Sequence, residues 1–233
     1  MDEKRRARVV VPRIHRGLDG VDELTGAVVV IDVFRASNTV IALLAAGAAE
    51  VALVADLDQA RALKRRSPER PLLGERGGVA PGDFDGGNSP AAARRLVRPS
   101  DRPILTTSAG TQAVARLAAA DPVVMASFAN AAAVADWLRQ RRTAALTLLP
   151  MGLEARSPAL EDEEAALWIA AAVEGRPRDF ERVRRRLVGC DGADRLRRLG
   201  QHDDLAWCTR LDSHRLVPLV LPGDPPRAVA APS

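Results

Sequence analysis

The residues best placed for chemistry are acids, small hydroxyls and arginines that follow apolar runs. Asp32 sits in the run Ala27 to Val33, and a buried aspartate without a cation, a donor or a role is costly. Arg35 follows at the turn, and a helix opening over Ala36 to Thr39 would offer unpaired amides around Ser37, a ready anion site. The plainer alternative makes Asp32 a structural acid paired with Arg35. A second segment runs from Gly74-Glu75-Arg76 to Asn88-Ser89-Pro90, seventeen residues with six glycines, a length typical of functional loops. In it Glu75 is a metal ligand candidate, Arg76 an anion ligand, and Asn88 and Ser89 are substrate contacts or helix caps, with Pro90 at the first helical position. The third, Thr106 to Thr111, carries Thr107, Ser108, Gly110 and Thr111, which suit close backbone approach to a phosphate, sulfonate or carboxylate. No Walker A pattern occurs. The fourth is the acid run Glu161 to Glu164. Acids suit a helix start, and successive positions point around the helix, so only one or two of them can face a site. Glu161 or Asp162 meeting Asp32 and Glu75 would make an oxygen-rich site for Mg²⁺.

These segments must be positioned by the elements between them. Strands are expected at Arg8 to Val11, Ala27 to Val33, Val51 to Val54, Leu72-Leu73, Pro103 to Thr107, Val123 to Ala126, Ala144 to Leu149 and Leu216 to Leu221. Helices are expected at Thr39 to Gly47, Leu57 to Arg66, Ala91 to Val97, Thr111 to Ala119 and Ala131 to Arg141. A helical C-terminal region follows: Glu161 to Val173, Asp179 to Val188, Asp194 to Leu199 and Asp203 to Leu211. This alternation defines an α/β fold with a mostly parallel sheet layered between helices. Ligands bind such sheets at the carboxyl ends of the strands, where all four segments fall. Residues 1–222 are expected to form a single α/β domain, with room for two lobes, and 223–233 a flexible Pro-rich tail.

Composition narrows the class. With 47% apolar and 27% charged residues the chain is neither disordered nor fibrous. No uncharged apolar run of eighteen residues occurs and the N-terminus lacks a signal-peptide pattern, so the expectation is a cytoplasmic chain with no membrane partner. Cys190 and Cys208 have no CxxC spacing and read as reduced thiols in or near the core. His15, His202 and His214 are too scattered for a shared site, and Trp137, Trp168 and Trp207 read as core or interface anchors. Arg176 to Arg198 holds nine arginines against four acids, but there is no tyrosine, only 3% aromatics and no recognised motif, so no nucleic-acid partner is expected.

Taken in order, VVVIDVFRASNT (28–39), GERGG with GDFDGGNSP (74–90), ILTTSAGT (104–111), SFAN (127–130) and EDEEAA (161–166) resemble the 2-phosphosulfolactate phosphatase family. Gly200 to Cys208, followed by Val217-Pro218, is similar to that family's C-terminal region, and the resemblance spans roughly residues 9–220. It implies an Mg²⁺-dependent phosphohydrolase that takes a small phosphorylated acid, (2R)-2-phospho-3-sulfolactate, to 3-sulfolactate and phosphate, a step of coenzyme M biosynthesis in methanogens. A homodimer is expected from family habit. On that chemistry Asp32, Glu75 and Glu161 or Asp162 are the candidate metal ligands or water-holding acids. Arg35 and the amides near Ser37 would grip the phosphate, and Arg76 with Thr107 to Thr111 the carboxylate and sulfonate. An Mg²⁺-dependent hydrolase of another phosphorylated carboxylic acid is the alternative. A haloacid-dehalogenase-type mechanism needs a second aspartate two positions after the first, where this chain has Phe34.

Overall fold

The computed structural model describes residues 11–141 and 143–232. Its strands are β1 (Arg13–Ile14), β2 (Gly26–Ile31), β3 (Val51–Leu53), β4 (Leu72–Gly74), β5 (Ile104–Thr106), β6 (Ala120–Ala126), β7 (Leu146–Pro150), β8 (Pro218–Leu221) and β9 (Arg227–Ala230). The helices are α1 (Ala36–Ala45), α2 (Leu57–Arg66), α3 (Pro90–Ala93), α4 (Gly110–Arg116), α5 (Ala131–Gln140), α6 (Leu160–Val173), α7 (Phe180–Val188), α8 (Asp191–Arg198) and α9 (His202–Cys208). The expected α/β class is what the chain adopts. Of the strand expected at Arg8 to Val11, residues 8–10 lie outside the described residues and Val11 is irregular; the first described strand is β1.

All nine strands lie in one sheet, in the order β1-β7-β2-β6-β8-β9-β3-β5-β4. The set β1-β7-β2-β6 is parallel throughout, as is β3-β5-β4. Between them stands the antiparallel pair β8-β9, with β8 antiparallel to β6 and β9 antiparallel to β3. The expectation of a flexible 223–233 tail is therefore corrected: β9 is an interior strand, and Ala228 is fully buried. Proline density in the tail suggested a loop, whereas Arg227 to Ala230 itself is free of proline and buries Ala228.

β2 shows why the sheet is covered on both faces. Val28 and Val30 join the core packed by α1 and α4, while Ala27, Val29 and Ile31 join the core packed by α5, α6 and α7. Its two neighbours end level with it, Ile31 pairing with Ala126 of β6 and Pro150 of β7, so Asp32 emerges at a shared carboxyl edge. On the other parallel set Gly74 pairs with Thr106, and Glu75 donates its amide to the Thr106 carbonyl. Thus the polar segments after β2, β4, β5 and β7 all open on one edge of the sheet. The C-terminal helices α8 and α9 form a small separate cluster through Cys190, Ala193, Leu196 and Leu205, packed on Phe34 and Leu160. No helix among the described residues is long and apolar enough to cross a membrane. Both cysteines are free and buried, and Trp137 and Trp207 are buried as expected of anchors.

Candidate active site

A cleft opens at this carboxyl edge under α8. Four of its lining acids, Asp32, Glu75, Glu161 and Asp162, are nearly sealed from solvent. Each is aimed by backbone or small side chains. Asp32 accepts from the Ala36 amide through Oδ1 (3.0 Å) and the Gly110 amide through Oδ2 (3.2 Å). Gly110 allows this close approach, since a Cβ there would stand a tight 3.1 Å from Asp32 Oδ2 and 3.0 Å from the Ala36 Cβ. Glu75 accepts from the amides of Ser108 and Gly78, both at 2.7 Å, and from the Ser108 hydroxyl at 3.2 Å. Asp162 reaches back from α6 to the amides of Val33 (2.7 Å) and Gly152 (2.8 Å). Glu161, beside it, has a single hydrogen-bond donor among the described residues, the Cys190 thiol at 3.4 Å.

Burial, with neighbouring negative charge, raises three of these acids. Burial pushes the Asp32 carboxyl up to about 6; the Ala36 amide opposes this, and the negative Glu75 adds to it. Burial likewise raises Glu161 and, with the charges of Asp32 and Glu161, holds Asp162 well above the usual carboxylate range. Burial also raises the Cys190 thiol to about 11, so it faces Glu161 as a neutral donor.

The anticipated pair between Asp32 and Arg35 does not form. Arg35 lines the cleft, but its Nη1 donates to Asp204 Oδ2 (2.7 Å) and its Nη2 to the Gly78 carbonyl (3.1 Å). Asp204 also accepts from the Ser89 hydroxyl at 2.6 Å, so one buried acid ties the β2–α1 turn to the start of α3.

The cleft gathers Asp32, Arg35, Glu75, Asn88, Ser108, Glu161 and Asp162 from the sequence candidates. Gly110 contributes through its amide on Asp32. The remaining candidates lie outside the lining. Ser37 is fully buried, accepting from the Asp32 amide and donating to the Val30 carbonyl, and its own amide is bonded to the Asp32 carbonyl. The anion site expected at these amides is therefore already filled by the chain's own oxygens. Arg76 turns away to the Glu75 and Ala55 carbonyls and the Thr106 hydroxyl. Thr107 and Thr111 bond each other's amides and shape the β5–α4 turn. Ser89 caps α3, bonding the Ala92 amide, with Pro90 at its first turn as expected. Local sequence shows polarity at a strand end but not which way each side chain turns.

Sequence reasoning missed the contribution of α8. Gly192 of that helix lies against Glu161, where a Cβ would stand 2.3 Å from Oε1, and Arg195 and Leu196 close the cleft from above. Glu154, in the loop after β7, faces Arg195. The only signal available was the glycine within an otherwise ordinary amphipathic helix. Among the described residues no group of three or more acids, histidines or cysteines stands ready to enclose a metal ion.

A sheet-edge cleft floored by aimed carboxylates is the architecture of an α/β enzyme site. The family model for 2-phosphosulpholactate phosphatase matches residues 16–222. The chain is 35% identical over 211 residues to a probable 2-phosphosulfolactate phosphatase of Deinococcus radiodurans, covering 84% of this chain and 88% of that protein. It is 34% identical over 227 residues to one of Synechococcus sp. strain WH7803 (89% and 90%), and 32% over 212 residues to one of Prochlorococcus marinus (82% and 87%). The chain belongs to the 2-phosphosulfolactate phosphatase family, and its enzyme class is that of a phosphatase.

Proposed function

We propose that this chain is an Mg²⁺-dependent phosphatase that hydrolyses (2R)-2-phospho-3-sulfolactate to 3-sulfolactate and phosphate. The observation that carries the metal part is the meeting of four buried carboxylates in one cleft, with burial and mutual repulsion raising three of them. Uncompensated buried anions call for a cation. An all-oxygen donor set fits Mg²⁺, which takes one or two carboxylates and keeps several waters, and so needs no fully formed protein cage. Glu161, the acid with the fewest donors, and Asp32 at the cleft floor would hold it, with Glu75 and Asp162 held beside them by backbone amides. When bound, Mg²⁺ supplies neutralising charge for the phosphoryl oxygens.

The chain's own groups account for the rest. Asp32, pushed up to about 6 in the metal-free chain, is largely ionised at neutral pH and so able to take the ion, and as one of its ligands it would also orient the attacking water. Ser108 and Asn88 are the small polar side chains in the lining that can contact the phosphate or its waters; the buried, unbonded Oδ1 of Asn88 is an acceptor suited to a water held near the phosphate, and its amide NH₂ is the group that could donate to the phosphate itself. Arg35, clamped by Asp204, fixes the Gly78 peptide and thereby the loop that aims Glu75. Water adds to phosphorus with loss of a proton to solvent, the bond between phosphorus and the C2 oxygen breaks, and the leaving alkoxide takes up a proton from solvent. The named activity of the relatives supports the substrate.

Phosphate release from 2-phospho-3-sulfolactate, with and without Mg²⁺, beside 2-phospholactate, phosphoglycerate and p-nitrophenyl phosphate, tests this. Mg²⁺-dependent turnover highest on the sulfonate compound is expected. Higher turnover on another phosphorylated acid would overturn the substrate, and equal turnover in EDTA would overturn the metal.

A further inference from the structure

Two arginines line the cleft, and they are in opposite situations. Arg35 is sealed, with its guanidinium held by Asp204 and the Gly78 carbonyl. Arg195, from α8, keeps 28% of its side chain exposed, and its one ion pair among the described residues is a 3.3 Å contact with Glu154. Its guanidinium lies along the Gly78 peptide: a Cβ at Gly78 would stand 3.6 Å from both Nε and Nη2. Glu154 reaches it from a loop in which two successive non-glycine residues, Glu154 (φ 53°) and Ala155 (φ 56°), adopt the left-handed conformation. Side-chain-bearing residues pay for that conformation, so the loop is held in a shape that local preference does not favour.

The charges in the cleft are segregated. The floor is acidic, and any anion there must share a cation with Asp32, Glu75, Glu161 or Asp162. A substrate with a phosphate and a second anionic group cannot place both on that floor without repulsion. Among the described residues lining the cleft, the rim offers one accessible cation, Arg195. A long, partly exposed Arg–Glu contact is a weak pair, so an incoming anion displaces Glu154 at small cost. A guanidinium fork binds carboxylate or sulfonate oxygens two at a time.

We infer that Arg195 is the specificity-determining residue that binds the second anionic group of the phosphorylated substrate, exchanging Glu154 for it. The inference rests on the phosphatase reading for its substrate, though not for the existence of the anion site.

The test compares wild type with Arg195→Gln and Arg195→Lys. The ratio of kcat/KM on 2-phosphosulfolactate to that on p-nitrophenyl phosphate, which has no second anionic group, falls about 10–100-fold in Arg195→Gln, chiefly through KM. Arg195→Lys recovers part of it. A parallel fall on 2-phospholactate assigns Arg195 to the carboxylate; an unchanged ratio on that compound assigns it to the sulfonate. A ratio for phosphosulfolactate within about threefold of wild type overturns the inference. Calorimetric titration with 3-sulfolactate supplies a readout that needs no turnover, and its affinity falls at least about tenfold in Arg195→Gln. If no phosphate ester is cleaved while 3-sulfolactate binding still depends on Arg195, the phosphatase reading fails and the anion site stands. If esters are cleaved and neither the ratio nor the binding moves, the anion site alone fails. Absence of both cleavage and binding in wild type overturns both. Thermal melts of the two variants confirm that they are folded.

Discussion

Arg35 and Asp204 lie 169 positions apart in sequence and meet at 2.7 Å, with 3% and 2% of their side chains exposed. The contact fastens three parts of the chain at once, because Asp204 also takes the Ser89 hydroxyl and Arg35 also takes the Gly78 carbonyl. Removing one partner leaves a sealed charge unpaired, a loss of about 3–5 kcal/mol in comparable buried pairs. Asp204→Ala is therefore expected to lower the unfolding free energy from urea titration by an amount in that range, with a lower midpoint, and to reduce turnover as the Gly78 loop loosens. A paired replacement, Arg35→Met with Asp204→Leu, recovers much of the stability but not the activity. Equal stability of Asp204→Ala and wild type would remove the clamp from the account.

Asp32→Asn removes the ionisable carboxyl at the cleft floor while keeping its volume. The rate is expected to fall about 10²–10⁴-fold, the contribution typical of a positioned acid or base. One of the two amides bonded to Asp32, from Ala36 or Gly110, then faces an NH₂ group, but relief of a buried charge offsets this, and the far-UV circular dichroism stays that of wild type. Near-normal turnover would exclude Asp32 from catalysis.

The strand-end chemistry was legible because it follows from pattern. An acid inside a β-branched run, a glycine-rich loop and an acidic helix start are local features, and the structure brings Asp32, Glu75, Glu161 and Asp162 of those segments to one cleft. Side-chain direction was not legible. Arg76 and Ser37 look as suitable as Arg35 and Ser108 in sequence, yet Arg76 turns to neighbouring carbonyls and Ser37 is consumed by its own strand. Long-range partners were equally hidden, since nothing near Arg35 announces Asp204, and nothing in α8 but Gly192 announces its approach to Glu161. The interior position of β9 depends on its antiparallel pairing with both β8 and β3, which no local signal records.

Gly192→Ala tests that approach. The new methyl would stand 2.3 Å from Glu161 Oε1, so α8 or Glu161 must move. Because α8 is packed through the small cluster of Cys190, Ala193, Leu196 and Leu205, it stays in place and the Glu161 carboxylate turns aside instead, with little change in stability. The Mg²⁺ concentration giving half-maximal activity is expected to rise severalfold in this variant. An unchanged metal requirement would show that Glu161 does not take part in holding the ion.

The acids of the cleft also give a sign to the pH dependence. Asp32 titrates near 6 in the folded chain and near 3.8 as an unperturbed aspartate, so between those values the folded state binds the extra proton. Its contribution to stability is present below about pH 4 and is lost as pH rises through 6, by up to about 2–3 kcal/mol. Glu161 and Asp162, raised by burial, act in the same direction. Metal-free protein in EDTA should therefore lose stability from pH 4.5 to 7 at these sites, and added Mg²⁺, which binds the ionised acids, should raise the melting temperature more at pH 7.5 than at pH 5. An Mg²⁺ shift that is the same at both pH values would mean that the ion binds elsewhere. Repeating the melts with Asp32→Asn isolates the share of that residue.

The last strands weld the sheet. β6 and β3 belong to separate parallel sets, and only the β8-β9 pair hydrogen-bonds to both. A chain ending after Pro222 keeps β8 but loses β9, leaving β8 and β3 with unpaired edges facing each other across the gap. The buried Ala228 is lost with it, along with the bond from the Ala231 amide to the Val217 carbonyl. Exposed interior strand edges pair with other chains, so the truncated protein is expected to melt well below the full chain and to elute as aggregates in size-exclusion chromatography. A chain ending after Ala231 retains β9 and should behave as wild type. If the shorter chain were monomeric with an unchanged melting temperature, the two parallel sets would be joined through their helices and not through this hairpin.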